Sequence, residues 1–456
     1  MPNIFTTFFS KKTVQQSLIV SVMFAVVLAI WGGLFITNLG AKSIPDYDMH
    51  FGNMYSLATG QFNRNTHMIT PDYGMGKENS FANNQQKKKT TVVTGTEQEL
   101  STKGLHNEVV WRLISSPLKQ DPNIAVQKAK LRDGNKSATF GVRTQYPQIN
   151  WLPQAIGLKL GMFFNKTAYG QLQTARIMNL VFYIVLVISA IWLVPKGKVL
   201  VALISALPTA VYLASSLSSD MFGYEIVLLF LACVMRISSQ ERLVSRVQLV
   251  ILVILVILFF QIKVAYLPIV LVLFAVDRRV ISWGRKVAVV LTGAIIGGGF
   301  YMLWSRAHSI VLLNTDPAVM KDYLTHNPLL FLYNVIVNIG AIPSQLSALP
   351  VSYTLITLAI LLYLLWSLPH QSFQQTELFW DTVYANRFAI LAFVTAFASL
   401  GMTYSALFLT WTPLSGTTVQ TIEGFQGRYL LPLLPLLVVL YHSTPISKKN
   451  EVSEKI

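Results

Sequence analysis

The sequence predicts an all-α polytopic membrane protein, with about ten transmembrane helices and a large extracytoplasmic loop between the first and second spans. Three observations predict it. Only 12% of the residues are charged and 53% are hydrophobic, whereas an average soluble domain carries about 25% charged residues. Apolar runs such as 17–38 and 178–194 recur, close to the roughly 20 residues a helix needs to cross hydrocarbon. Basic residues cluster between alternate runs, at Lys196/Lys198, Arg236/Arg242/Arg246 and Arg278/Arg279/Arg285/Lys286, the pattern of loops retained in the cytoplasm.

Residues 1–16 form a cytoplasmic N-terminus, because Lys11 and Lys12 stand just before the first apolar run. That run, 17–38, is too long for a signal peptide and lacks a small-residue cleavage pattern, so it reads as a retained span. Residues 39–173 follow as a polar outer domain that includes Lys87-Lys88-Lys89. Long loops translocate largely regardless of charge. Within it, 83–104 reads as flexible or β-hairpin structure. Residues 146–164 place Ile149, Leu152, Ala155, Ile156, Leu160 and Phe163 at helical spacing, predicting an amphipathic helix along the outer interface.

Residues 174–305 hold transmembrane helices 2–7, at 176–194, 199–217, 221–235, 247–260, 264–276 and 287–304. Both flanks of 247–276 are basic, so that stretch is a hairpin turning near Gln261-Ile262-Lys263 on the outer side. Residues 306–350 form an outer loop and an apolar segment interrupted by Asn334, Asn338, Gly340, Pro343 and Gln345, which suits an interfacial or re-entrant piece. Residues 351–442 supply helices 8–10, at 351–368, 388–411 and 429–441, and 443–456 is a cytoplasmic tail with Lys448-Lys449. Counting the interrupted segment as a span gives eleven and reverses the tail.

The formal charge of +16 is spread over short segments and forms no single face, which argues against a nucleic-acid partner. Membrane lipids are the expected surroundings. One cysteine, Cys233, allows neither a disulfide framework nor a thiolate metal site. No Gly-rich nucleotide loop, G-x-S-x-G elbow or H-E-x-x-H pattern is present. Asn135-Lys136-Ser137 and Asn165-Lys166-Thr167 fit the glycosylation acceptor pattern, a triplet common by chance.

The main candidate site is Pro45-Asp46-Tyr47-Asp48-Met49-His50, immediately after the first span. Two carboxylates two residues apart, with an imidazole two further on, can gather a divalent cation such as Mg or Mn or place a general base at the interface. A plain solvated helix exit would carry the same residues. Ionisable groups at the edges of later spans form a second set: Arg176, Asp220, Glu225, Lys263, Arg306 and Arg428. Such groups are costly in a bilayer unless paired or lining a wet cavity. Asp220 and Lys263 both fall at outer ends and can make one structural ion pair, while Arg176 and Arg306 can snorkel to headgroups. Arg428 opens an apolar run after a polar loop, where its guanidinium can fork onto a phosphate. Tyr429 beside it suits an interface anchor.

Several pieces carry a resemblance. They are the acidic exit, Tyr146-Pro147-Gln148-Ile149-Asn150-Trp151-Leu152-Pro153-Gln154-Ala155, Gly161 with Ala175-Arg176-Ile177-Met178-Asn179, and Ala214-Ser215-Ser216-Leu217-Ser218-Ser219-Asp220. Asn338-Ile339-Gly340 with Leu349-Pro350 and Gln426-Gly427-Arg428-Tyr429-Leu430-Leu431-Pro432 complete them. Together they resemble a bacterial polytopic membrane family of uncharacterised function with the layout of GT-C glycosyltransferases. The resemblance implies a sugar donor on a polyprenyl phosphate, an acceptor from the cell envelope met at the outer face, and a place in the bacterial cytoplasmic membrane. It implies that Asp46 or Asp48 is the general base or metal ligand, and that Arg428, with Lys263 or Arg176, holds the lipid phosphate. His50, Asp220 and Tyr429 join them as substrate-binding candidates. Tyr47 stands where the family has an acidic residue, and the 73–136 loop is longer than the layout requires. A transporter or lipid flippase using Asp220, Glu225 and Lys263 and a non-catalytic scaffold are the competing expectations.

Overall fold

A computed structural model describes residues 11–40, 44, 46–60, 132–133, 136–137, 146–164, 166–308, 317–342, 386–414 and 421–442. These residues are helical apart from turns and one antiparallel pairing of Arg132–Asp133 with Lys136–Ser137. The chain runs through α1 (Lys11–Asn38), α2 (Tyr47–Thr59), a 3-10 turn (Gln148–Trp151), α3 (Leu152–Phe163), α4 (Ala168–Leu193), α5 (Lys198–Ser205), α6 (Pro208–Ala214), α7 (Asp220–Ser238) and α8 (Arg246–Phe259). A 3-10 helix (Val264–Ala275) then leads to α9 (Trp283–Gly293), which continues through a π-helical turn (Ala294–Gly298) into α10 (Gly299–His308). Next come α11 (Pro317–His326), α12 (Pro328–Gly340), α13 (Arg387–Trp411), a 3-10 helix (Gly427–Leu433) and α14 (Leu436–His442).

Among the described residues, five stretches are long and apolar enough to cross a membrane: Val14–Asn38, Tyr169–Leu193, Asp220–Ser238, Trp283–Ala307 and Arg387–Trp411. Four shorter apolar helical stretches accompany them, Arg246–Phe259, Val264–Ala275, Pro328–Gly340 and Gly427–Tyr441. The central element is α7, buried along most of its length against α4, α8 and the Gly427–Leu433 helix. Peripheral helices are one-sided. On α1, Phe24, Leu28 and Phe35 pack inward, while Leu18, Val22, Val26, Ile30 and Leu34 face out at helical spacing. An outward apolar stripe is the expected surface of a helix whose solvent is lipid.

Several apolar runs differ from their sequence expectation, and proline is the common reason. The run 199–217 is two short helices rather than one span, because Leu207 adopts φ −58°, ψ 139° ahead of Pro208, as a residue preceding proline is pushed out of the α region. The hairpin of 247–276 does turn at Gln261–Lys263, but its second arm is 3-10 helical and contains Pro268. The last run likewise begins as a 3-10 helix containing Pro432 before α14 starts. The helix expected within 146–164 is present as α3. A Cβ on Gly157 would lie 2.5 Å from the Thr174 carbonyl oxygen, and one on Gly161 would lie 2.7 Å from Gln171 Cα. The glycines therefore bring α3 against α4, leaving Leu152, Ile156, Leu160 and Phe163 outward. The expected span 351–368, the hairpin at 83–104 and the Lys448-Lys449 tail lie outside the described residues.

The three basic clusters share one end of the bundle, where two of their members, Lys198 and Lys286, and Arg387 beside them close helix termini. Lys198 Nζ donates to the carbonyls of Ile191 (2.8 Å) and Val194 (2.9 Å) at the end of α4. Lys286 Nζ donates to the Phe274 and Val276 carbonyls, and Arg387 Nε donates to the Ala275 carbonyl at 2.6 Å. Carbonyls of a last helical turn have no intrahelical partner, and a cation there also complements the helix dipole. The start of α7, the Gln261–Lys263 turn and Gly427 lie at the opposite end, by the run of the helices.

Candidate functional site

At that opposite end, four charged side chains from four distant segments meet. Asp46 precedes α2 in the left-handed conformation, φ 57° and ψ 30°. It is the one non-glycine residue with positive φ among the described residues. Such geometry is uncommon outside glycine, though aspartate tolerates it better than most. Arg428 Nη2 donates to Asp46 Oδ2 at 2.5 Å, and its Nη1 lies 3.1 Å from Asp220 Oδ2. Lys263 Nζ donates to Asp220 Oδ1 at 2.9 Å. The chain of charges is thus Asp46, Arg428, Asp220, Lys263, alternating in sign and summing to zero.

The two carboxylates sit in different surroundings. The Asp220 side chain is 11% exposed, while that of Asp46 is 47% exposed. Asp220 opens α7 and is braced locally, since Ser218 Oγ donates to its carboxylate at 3.2 Å. With two cations on it, Asp220 is fixed. Tyr429 backs the cluster: Lys263 Nζ lies 4.1 Å from its ring centre and the Arg428 guanidinium 5.6 Å, within cation–π range. Tyr266 in turn donates its hydroxyl to the Tyr429 carbonyl at 3.0 Å.

His50 lies under the cluster, 2% exposed. The Trp151 indole N–H donates to its Nδ1 at 3.1 Å, and the Ser219 backbone N–H approaches the same nitrogen at 3.4 Å. A ring nitrogen that accepts twice carries no proton, so the neutral ring bears its hydrogen on Nε2. Burial pushes the His50 pKa down to about 4, with Asp220 opposing and Arg428 assisting. Asparagine and glutamine side chains knit the surrounding turns. Asn150 Nδ2 donates to the Gln261 carbonyl at 2.6 Å, and Gln154 Nε2 to the Ser218 carbonyl at 2.8 Å.

A small open cleft of about 30 Å³ adjoins these charges, lined by Asp220, Lys263 and Arg428 together with Tyr146, Asn150 and Tyr266. The last three were not singled out as site residues from sequence. Their signal was present in Tyr146 and Asn150 within the quoted Tyr146–Ala155 motif, and in a tyrosine three residues after Lys263.

The structure thus brings together Asp46, His50, Asp220, Lys263, Arg428 and Tyr429. The α2 backbone carries Asp48 beside them, but its side chain lies outside the described residues. Arg176 is elsewhere engaged. Its guanidinium donates to the carbonyls of Phe35 (3.1 Å), Ile36 (3.0 Å), Leu39 (2.8 Å) and Ser215 (2.8 Å), and to Gln173 Oε1 (3.1 Å). It closes the C-terminal end of α1 and ties α4 to it. As to a metal, Asp46 faces a guanidinium, which repels a divalent cation, and His50 Nδ1 is occupied. The described residues contain no group of three His, Cys, Asp or Glu that could hold a metal ion.

A family model described as a predicted membrane protein, DUF2142, matches residues 24–437. The chain belongs to the DUF2142 family. All six clustered residues fall inside the DUF2142 match, which begins within α1 and ends within α14. DUF2142 membership agrees with the membrane-length helices. No curated protein and no solved structure matches the chain.

Proposed function

We propose that the protein is a membrane glycosyltransferase of GT-C type, moving a sugar from a polyprenyl-phosphate donor to a cell-envelope glycan or lipid acceptor. The observation that carries this reading is the meeting of a half-exposed carboxylate, Asp46, with the buried guanidinium of Arg428 beside an open cleft at the end of a helical bundle. The chemistry asks for those two groups. An acceptor hydroxyl must lose its proton as its oxygen attacks the anomeric carbon, and the departing phosphate takes the electron pair of the breaking C–O bond. Asp46 receives the proton. Arg428 and Lys263 offset the charge gathering on the phosphate.

Asp46 is assigned the base role ahead of Asp220 because Asp220 is buried and committed to two cations. Asp48, the other candidate base, lies in the first turn of α2, which Asp46 precedes. Binding of the donor further involves Tyr429, which backs both cations, and His50 below them. Arg176 acts in this reading through the position of α1. A divalent cation at Asp46 and Asp48 would compete with Arg428, and no step is routed through one. The basic clusters at the far end support an orientation with the cleft at the outer face of a bacterial cytoplasmic membrane, since cytoplasmic loops are enriched in Lys and Arg.

One observation favours a transporter or flippase instead. Glu225, 1% exposed in the second turn of α7, has no hydrogen-bond partner for either carboxylate oxygen among the described residues. Ionisable groups at membrane depth mark transport pathways in many proteins. The two readings separate by experiment. Lipid-linked glycans are profiled in a strain lacking the protein and in the same strain carrying Arg428→Ala or Glu225→Gln. The transferase reading expects Glu225→Gln to restore the wild-type profile and Arg428→Ala to fail at equal membrane abundance. Restoration by Arg428→Ala would overturn it.

A further inference from the structure

The Arg428 guanidinium is less well satisfied than its burial demands. Of its donor nitrogens, Nη2 bonds Asp46, whereas Nε and Nη1 have no aligned hydrogen-bond acceptor among the described residues. Nη1 is within ion-pair distance of Asp220, but its N–H bonds do not point at that oxygen. The side chain is only 7% exposed. His50 Nε2, the nitrogen that carries the proton, is also buried without a partner. Buried donors are nearly always bonded in folded proteins, so orphans gathered in one place ask for an acceptor.

The charge count says what kind. Two carboxylates already balance the two cations, and a neutral His50 adds nothing. An additional anion would leave the cluster negative unless one carboxylate withdrew. Asp220 cannot, being buried and bonded to Lys263. Asp46 can: it is half-exposed, holds Arg428 through one oxygen and one nitrogen, and sits at a strained left-handed position just outside α2.

We infer that Arg428 is an exchangeable oxyanion seat, in which the oxyanion of a phosphate ester or free phosphate displaces Asp46 from the guanidinium and thereby releases the Asp46 carboxylate to the cleft. A fork of N–H donors suits phosphate oxygens better than a single carboxylate oxygen. Exchange deepens the glycosyltransferase reading, on which it rests only for what Asp46 does once released. In that reading the base becomes free only when a donor phosphate is bound, and water is not activated in its absence.

The test uses the full chain in neutral phosphatidylcholine nanodiscs and measures binding of geranylgeranyl monophosphate, inorganic phosphate and uncharged geranylgeraniol. Asp46→Asn removes the competitor and keeps the fold, because Asp220 still holds both cations. The expected result is binding of the monophosphate at least tenfold tighter in Asp46→Asn than in wild type, weakened at least tenfold in Arg428→Lys, and no change for geranylgeraniol in either. The same gain with inorganic phosphate assigns the seat to free phosphate, and a gain confined to the lipid form assigns it to a lipid headgroup. Equal or weaker monophosphate binding in Asp46→Asn overturns the exchange, as does binding that ignores Arg428→Lys. Sugar transfer is read separately: tight phosphate binding without transfer in wild type counts against the transferase reading and leaves the seat standing.

Discussion

Arg428 donates to Asp46 across 2.5 Å although the two stand 382 positions apart in the chain. The contact joins the first connection after α1 to the start of the last helical run, and Asp220 and Lys263 extend it to the start of α7 and to the turn before the Val264–Ala275 helix. The consequences differ for each member.

Removing charge from the two carboxylates should have unequal effects. Asp220→Asn takes the carboxylate from Lys263 and one of the two carboxylates from the buried Arg428, and is expected to cost about 3 kcal/mol or more. Asp46→Asn loses one partly solvated pair and should cost about 1 kcal/mol or less. Thermal unfolding in nanodiscs compares them, and equal losses would contradict the assignment of Asp220 as the fixed member.

Arg176→Met should destabilise the protein by about 3 kcal/mol or more, because four backbone carbonyls lose a charged donor. Phosphate binding by the variant that remains folded should match wild type. Lost binding with unchanged stability would place Arg176 in the site after all.

Much of this site was legible in the sequence, for a physical reason. A charge at the end of an apolar run must find a partner or water, which singled out Asp220, Lys263 and Arg428, and the Asp220–Lys263 pair could be named from their shared end of the bundle. The fate of Arg176 was not legible, since a sequence does not say which helix end offers its carbonyls. His50 depended on Trp151, about a hundred residues away in chain and brought beside it by the packing of α3 on α2. The helical class was readable from hydropathy. The break at Pro208 carried a local signal that the apolar run around it outweighed, and periodicity alone did not show that the two glycines of α3 bring it against α4.

Acid should weaken the fold through His50. Its folded pKa of about 4 lies below the ordinary 6.5, so the unfolded chain takes up a proton first as pH falls. The contribution is complete above about 6.5 and is lost progressively between there and about 4. His50→Gln, which keeps an acceptor for Trp151, should flatten that part of the midpoint-versus-pH curve. An unchanged curve would mean His50 is protonated in the folded protein.

Closing the α3–α4 contact to glycine should matter more than its surface position suggests. Gly157→Leu would drive a side chain into the Thr174 carbonyl and Ala175, displacing α3 and with it Trp151 and Asn150. Overpacking of this kind costs about 1–3 kcal/mol, read as a lower unfolding midpoint together with weaker phosphate binding. Unaltered values for both would separate α3 from the site.

The most direct measurement is a double-mutant cycle on sugar transfer from a polyprenyl-phosphate donor, using wild type, Asp46→Asn, Arg428→Lys and the double variant at equal membrane abundance. If the two residues work as one unit, each single change lowers the rate by about 100-fold or more, and the double variant is no slower than the slower single. A double variant whose loss equals the product of the two single losses, or full transfer in either single variant, would contradict the account.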